Sequence, residues 1–219
     1  FMGTGTTAKV CRLLGRSVIG IELNLKFCKL IEKRTRQKGI IDYFDKKKTT
    51  KNIINGDARD VLEIWEKHNF PQVDYCITSP PYWNALRKSR GGIESQHKKR
   101  EKKGLDLYYS DDPNDLGNIK NYGMFLNAVA KIFMDIYEIL KDGSHLTVVV
   151  QNIFENEKMI PFAWDLGIML MRKFDLIQDK LWLQDDKMLG IWGYPTSYVP
   201  NTAHHYCLNF KKRGNKTTR

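Results

Sequence analysis

The chain has 219 residues, enough for one domain with a sizeable core, and 36 Lys and Arg against 25 Asp and Glu leave a formal charge of +11. That balance favours a polyanionic partner over an acidic protein surface. The four cysteines, Cys11, Cys28, Cys76 and Cys207, form no Cys-x-x-Cys pair, which argues against a zinc site or a disulfide framework and suits a reducing cytoplasm; no apolar run reaches the ~18–20 residues of a membrane span.

In chain order, the first feature is a glycine-rich turn, Phe1-Met2-Gly3-Thr4-Gly5-Thr6-Thr7, leading into a predicted helix over 8–14 with Gly15 as its stop. Residues 17–22 read as a short apolar strand ending in Glu22. Glycines let a backbone approach a cofactor closely, and an acid after the second strand can bind ribose hydroxyls. No Gly-Lys-Ser/Thr follows, so the turn is not a Walker loop. A doubly wound sheet needs a strand before its first glycine turn. The expectation is that a segment upstream of Phe1, or a partner chain, supplies it.

A helix is predicted over 25–37, a polar connector over 45–51, and a third strand at Ile53-Ile54 leading into Asp57. A helix over 61–68 follows, with Asp60 as a plausible cap. Residues 73–77 read as a buried parallel strand. Residues 84–118 form a long irregular stretch, too long for a passive connection. Helical spacing then runs over 122–140, a buried strand over 146–150, and a helix from Pro161 to near Arg172. Strands over 174–183 and 205–210 are expected to pair antiparallel, joined by the aromatic stretch 192–201. That stretch reads equally as a packed hairpin loop or as a contact to base or groove.

The strand over 73–77 closes at Thr78-Ser79-Pro80-Pro81-Tyr82-Trp83. Two prolines cannot continue a central strand. They force a rigid turn at the strand's carboxyl end, where open α/β sheets place ligands. A hydroxyl before the prolines and two rings after them suit a flat, polar, aromatic substrate.

Together these segments resemble the amino-methyltransferases of DNA, which methylate exocyclic amines of cytosine or adenine. The turn from Phe1 to Thr7 resembles the family's S-adenosylmethionine loop. Ile19-Gly20-Ile21-Glu22-Leu23-Asn24 resembles its ribose-binding strand end, Asn55-Gly56-Asp57-Ala58 its adenine-contacting turn, and Ser79-Pro80-Pro81-Tyr82 its catalytic tetrapeptide. The likeness continues through Asp142-Gly143 to His205-Tyr206-Cys207-Leu208-Asn209-Phe210 and so covers nearly the whole chain.

The resemblance implies an α/β fold with a doubly wound, mostly parallel sheet, a terminal antiparallel strand pair and a first strand lying outside these residues. The methyltransferase domain would run over 1–212, with a polar tail over 213–219. S-adenosylmethionine would lie against Phe1, Gly3, Gly5, Thr6, Thr7, Glu22, Asn24, Asp57, Ala58 and Ser79. Ser79, Pro80, Pro81 and Tyr82 would be catalytic. An exocyclic amine is a poor nucleophile because its lone pair is delocalised into the ring. The Ser79 hydroxyl and the Pro80 carbonyl would accept its two protons and aim that lone pair at the methyl group, while Tyr82 stacks on a base flipped from double-stranded DNA. The serine form of the tetrapeptide leans towards cytosine N4 over adenine N6, in a restriction-modification setting. Trp83, Arg87, Lys88, Arg90, Lys98, Lys99, Arg100, Lys102 and Lys103 would contact DNA, the basic residues clamping phosphates.

Plainer readings exist for each residue. Ser79 could cap the following turn, Tyr82 and Trp83 could be core aromatics, Glu22 an exposed acid, and Asp57 a helix cap. Adjacent His204 and His205 on a strand point to opposite faces, so no metal is expected. Cys76 reads as a buried structural thiol. No Pro-Cys pair supports a carbon methyltransferase. An RNA amino-methyltransferase and a catalytically silent nucleic-acid-binding subunit are the alternative functions.

Overall fold

A computed structural model describes residues 1–36, 49–83, 112–155, 158–185, 191–192, 199–200 and 202–214. The first half alternates helix and strand: α1 (Thr6–Leu13), β1 (Val18–Glu22), α2 (Leu25–Arg36), β2 (Lys51–Asn55), a 3₁₀ turn (Ala58–Asp60), α3 (Val61–Lys67) and β3 (Val73–Thr78). After a second 3₁₀ turn (Leu116–Asn118) come α4 (Tyr122–Ile139), β4 (Leu140–Val150), β5 (Ile153–Glu155), β6 (Lys158–Ile160), α5 (Phe162–Leu170), β7 (Phe174–Leu183), β8 (Ile191–Trp192), β9 (Val199–Pro200) and β10 (His204–Lys212). Every strand and helix predicted in the described residues is present. The residues joining β7 to β10 include a small antiparallel ladder of β8 on β9.

The core follows from the pattern of α4. The Asn121 side chain caps the helix by accepting from the Met124 amide at 2.9 Å. Phe125, Val129, Ile132, Phe133 and Ile136 then fall on one face and are buried. They share a cluster with Leu146, Val148 and Val150 of β4, Phe162, Leu166 and Leu170 of α5, and Phe174 and Phe210 of the last two long strands. Burying each large apolar side chain contributes about 1.5–3 kcal/mol. The β4 strand begins directly at the end of α4, earlier than predicted, and Gly143 at φ 74 accommodates an irregularity near its start.

Strand pairing sets the position of the site. Among the described residues there are two main ladders, β1–β2 and β3–β4–β10–β7. Both β1·β2 and β3·β4 are parallel, while β10 runs antiparallel to β4 and to β7. The expected antiparallel terminal pair is thus observed. A single continuous sheet is not: β1 and β3 each end their ladder. Phe1 lies between their carboxyl ends. Its backbone nitrogen donates to the Ile21 carbonyl at 2.9 Å, and its carbonyl accepts from the Thr78 hydroxyl at 2.9 Å.

Two expectations are corrected. β3 is not buried on both faces, since Tyr75 and Ile77 are 45% and 38% exposed. Val73 and Cys76 pack on the core beside α4, but the opposite face and the free edge of this end strand have no such cover among the described residues. Asp60 makes no side-chain cap for α3. The 3₁₀ turn comes first, and it is capped by Asp57, which accepts from the Arg59 amide at 2.9 Å.

Candidate active site

The glycine turn takes its shape from two left-handed residues, Gly3 at φ 53 and Gly5 at φ 78. A Cβ on Gly5 would lie 2.6 Å from Ile31 of α2, whereas one on Gly3 would meet nothing within 4 Å. Gly5 is therefore required for helix packing, and Gly3 borders open space. The turn is clasped by Glu22, only 8% exposed. Its Oε2 accepts from the amides of Met2 at 3.0 Å and Gly3 at 2.8 Å, and its Oε1 accepts from the Asn24 amide at 3.1 Å. A buried carboxylate needs such partners. Glu22 is thus neither an exposed acid nor a free one.

Beside this clasp lies a cleft lined by Phe1, Gly3, Glu22, Asn24, Asp57, Ala58 and Ser79 among the predicted cofactor residues. Gly5, Thr6 and Thr7 are not in its lining; Thr6 and Thr7 open α1. Asn24 also accepts from the Lys26 amide at 2.9 Å, which starts α2. Asp57 has a second duty that the sequence did not reveal. It pairs with Arg59, Oδ2 to Nη2 at 2.5 Å, and Arg59 reaches on to the carbonyl and side chain of Asn114 at 3.1 and 3.0 Å. These bonds to Asp57 hold the guanidinium above its ordinary pKa.

Asn114, Asp115 and Leu116 complete the cleft wall. Leu116 is 4% exposed, and Asp115 caps its own turn through the Gly117 amide at 2.9 Å. The end of the stretch predicted as a DNA clamp therefore lines the cleft, with Asp115 and Leu116 buried and Asn114 exposed. The Asp112-x-Asn114-Asp115 turn chemistry was the available signal. Arg87, Lys88, Arg90, Lys98, Lys99, Arg100, Lys102 and Lys103 lie outside the described residues.

The Ser79 corner opens on the same cleft, through Ser79 and Pro81. Pro80 and Pro81 are buried, while Ser79 is exposed. The Ser79 hydroxyl donates to the Val149 carbonyl of β4 at 2.8 Å and lies 3.0 Å from the Tyr82 hydroxyl. Tyr82 in turn lies 3.0 Å from Nδ1 of His205 on β10. The imidazole continues a row of rings, 5.7 Å from Tyr82 and 5.2 Å from Trp182 of β7. Sequence reasoning placed His205 on a terminal strand and weighed it as a metal ligand, but missed this contact. Among the described residues no group of three or more His, Cys, Asp and Glu side chains is placed to hold a metal ion.

Trp83 is a correction. It was expected on the DNA side, but its ring is 8% exposed in the core, 5.5 Å from Tyr122, and its indole donates to the Ile119 carbonyl at 2.6 Å. Its φ of 46 is unfavourable for a bulky residue, and burial of the indole holds it there. Cys76, expected to be buried, is only partly so; it packs on the core, and desolvation pushes its thiol pKa up to about 11.

The sequence profile of a family described as DNA methylase matches residues 1–33. No curated protein matches the chain. A SAM-dependent methyltransferase from Methanosarcina mazei is similar in structure, with a TM-score of 0.54 and 12% identity over 98% of this chain and 90% of that one. TrmN from Thermus thermophilus has a TM-score of 0.52 and 14% identity over 97% of this chain and 42% of its own. A candidate DNA modification methylase from Thermus thermophilus, complexed with S-adenosyl-L-methionine, has a TM-score of 0.47 and 21% identity over 75% of this chain. The chain spans about half of that protein, 54% of its length. The architecture built above, parallel strands carrying the cleft and an antiparallel pair closing the sheet, is the α/β, Rossmann-like methyltransferase fold.

Proposed function

We propose that the chain transfers a methyl group from S-adenosylmethionine to an exocyclic amine of a base in double-stranded DNA, cytosine N4 ahead of adenine N6, as part of a restriction-modification system. One observation carries the reading: the Glu22 clasp and the Ser79 corner line the same cleft. A cofactor held by the first would face the second. The match of residues 1–33 to a DNA methylase family supports it, as does the charge of +11 for a polyanionic substrate.

The residues present fit the cofactor. Gly3 leaves open space where a side chain would stand, so backbone can approach a ligand. Glu22 Oε1 accepts a single amide and has a lone pair left for a ribose hydroxyl. Leu116, Phe27 and Ile21 offer apolar lining for a flat ring. When bound, the cofactor supplies an electrophilic methyl group on a sulfonium. This chain's task is then to position the amine and localise its lone pair. Ser79, its own proton held by Val149, offers lone pairs to one amine proton, and the Pro80 carbonyl accepts from the other. Tyr82 stacks on the base. As the N–C bond formed and the methyl–sulfur bond broke, leaving a neutral thioether, the amine would become cationic, and these acceptors would stabilise it until a proton left to solvent.

A further parallel strand seated between the free edges of β1 and β3, from an upstream segment or a partner chain, would join the two ladders into one sheet. The cytoplasm is the setting that suits the free thiols of Cys11, Cys28, Cys76 and Cys207. No described helix is long and apolar enough to cross a membrane.

The test is transfer of a tritiated methyl group to duplex DNA, followed by nucleoside analysis. Label in N4-methylcytosine is the expected result. Label in N6-methyladenine moves the substrate to the other amine, and label in RNA alone moves it to the other nucleic acid. Cofactor binding without transfer to any base would leave a silent nucleic-acid-binding subunit.

A further inference from the structure

Trp182 is 56% exposed, yet its indole ends a built row of rings. The strand register places it. Tyr206 of β10 opposes both Val150 of β4 and Leu181 of β7, so those two residues are level across the sheet. β7 runs antiparallel to β10 and hence parallel to β4. Trp182, one residue beyond Leu181, therefore stands at the same carboxyl edge as the Ser79 corner. It opposes His205, whose imidazole lies 5.2 Å from the indole at 31° and 5.7 Å from the Tyr82 ring at 39°. Three rings thus run from the corner across β10 to β7. Tyr206, on the other face of the sheet, meets Trp164 of α5 at 6.3 Å, so the row lies on the face away from that helix.

A lone exposed apolar side chain is ordinary; this one differs in its surroundings. The imidazole supports the indole from one side, and more than half of the residue faces solvent. Lys180, exposed and opposite Cys207, stands two residues earlier on the same face of β7, about 6–7 Å along the strand, while Asp179 between them falls on the other face. A flat aromatic surface with a cation beside it matches a nucleotide, base on ring and phosphate on ammonium. An apolar protein partner would have to bury that ammonium without a counter-charge. We propose that Trp182 is a stacking site for a second, unpaired base of the nucleic-acid substrate, with Lys180 on the adjoining phosphate. This rests on the reading of the Ser79 corner as the place of the target base. The row stands between that base and the second one, and its ring spacings exceed the roughly 3.4 Å between neighbours stacked along a strand. The two bases are therefore not stacked on one another. The strand is opened beyond the target alone, and local unpairing of the flank becomes part of substrate binding.

The experiment measures DNA binding and single-turnover methyl transfer for wild type, Trp182→Ala, Trp182→Phe and Lys180→Gln. The substrates are a duplex carrying the methylated site and the same duplex with one abasic position, moved a nucleotide at a time along each flank. Trp182→Ala is expected to weaken binding about five- to thirtyfold, the size of one lost base stack, with cofactor affinity within twofold, and Trp182→Phe to recover most of it. Wild type should lose as much when one particular flank position is abasic, and there Trp182→Ala should add nothing. A mismatch at that position, which leaves the base present and unpaired, should tighten binding by wild type more than by Trp182→Ala. Lys180→Gln should flatten the dependence of affinity on salt by about one counterion, and an unaltered slope removes Lys180 from the site. Trp182→Ala that binds every substrate as wild type does would overturn the proposal, as would a loss from Trp182→Ala that is the same at every abasic position. Altered sedimentation with unchanged DNA affinity would also overturn it and give the indole to a second copy of the chain. If Trp182→Ala does not fold, the abasic scan of wild type and Trp182→Phe decides: a scan with no sensitive flank position refutes the site. Wild type that binds DNA but methylates no base sinks the reading of the corner, while the Trp182 site, read by binding, stands or falls on its own scan. Active wild type with Trp182-insensitive binding sinks only the stacking site.

Discussion

Replacing Glu22 by Gln separates the two roles the structure gives this acid. The carboxylate accepts three backbone amides, from Met2, Gly3 and Asn24. Gln has one accepting oxygen. In its better orientation that oxygen keeps the Met2 and Gly3 amides, and the NH₂ group then faces the Asn24 amide with nothing to accept it. One amide is orphaned in a site only 8% exposed, and two charge-assisted bonds become neutral ones. A loss of about 2 kcal/mol in folding stability is expected. The same NH₂ replaces the oxygen proposed for the ribose hydroxyl, so affinity for S-adenosylmethionine should fall by roughly ten- to a hundredfold, about 1.4–2.8 kcal/mol. Urea denaturation reads the first effect and calorimetric titration the second. Lost stability with affinity within twofold of wild type would make Glu22 a clasp alone and place the ribose elsewhere. Unchanged stability would mean that the three amide bonds contribute nothing, and the account of the glycine turn would fail.

Ser79→Ala should lower the rate of methyl transfer more than it lowers DNA affinity, and Tyr82→Ala should weaken base binding by about 1–3 kcal/mol while sparing the cofactor; single-turnover rates and binding constants check both. Neutralising Lys98, Lys99, Arg100, Lys102 and Lys103 together should weaken DNA binding on all sequences alike and flatten its dependence on salt; an unaltered slope in folded protein removes the phosphate clamp. Phe133→Ala, at a side chain with no exposure, should cost about 3–5 kcal/mol of stability in denaturant titration. Cys76 is held protonated in the fold, its pKa raised from an ordinary 9.0 to about 11. The unfolded chain loses this proton first, so stability should fall as pH rises from about 9 to about 11, and Cys76→Ala should remove that slope.

The elements were legible because their signals are local. The apolar spacing of 122–140, the glycine stop at Gly15 and the two prolines after Thr78 each act within a few residues. Gly3 and Glu22 were singled out together and do meet across only 19 residues, but the clasp of the acid on the turn was not read from the sequence. What escaped depends on distant pairing. His205 reaches the corner across 123 residues, and only the register of β10 against β4 and β7 decides which of two adjacent histidines faces Tyr82. Arg59 meets Asn114 across 55 residues, so the wall formed by 114–116 could not be read from its polar composition. Trp83 was misplaced because an aromatic after a catalytic turn reads the same whether it faces solvent or core. The φ of 46 that turns it inward is a property of the backbone, invisible in the residue type.

That inward turn makes Trp83 a mechanical stop. The chain leaves the Ser79 corner through a residue wedged in the core, anchored to Ile119 and against Tyr122. The prolines stiffen one side of the corner and the wedge pins the other. The corner is thus a short bridge anchored at both ends, Thr78 to the Phe1 carbonyl and Trp83 to that of Ile119.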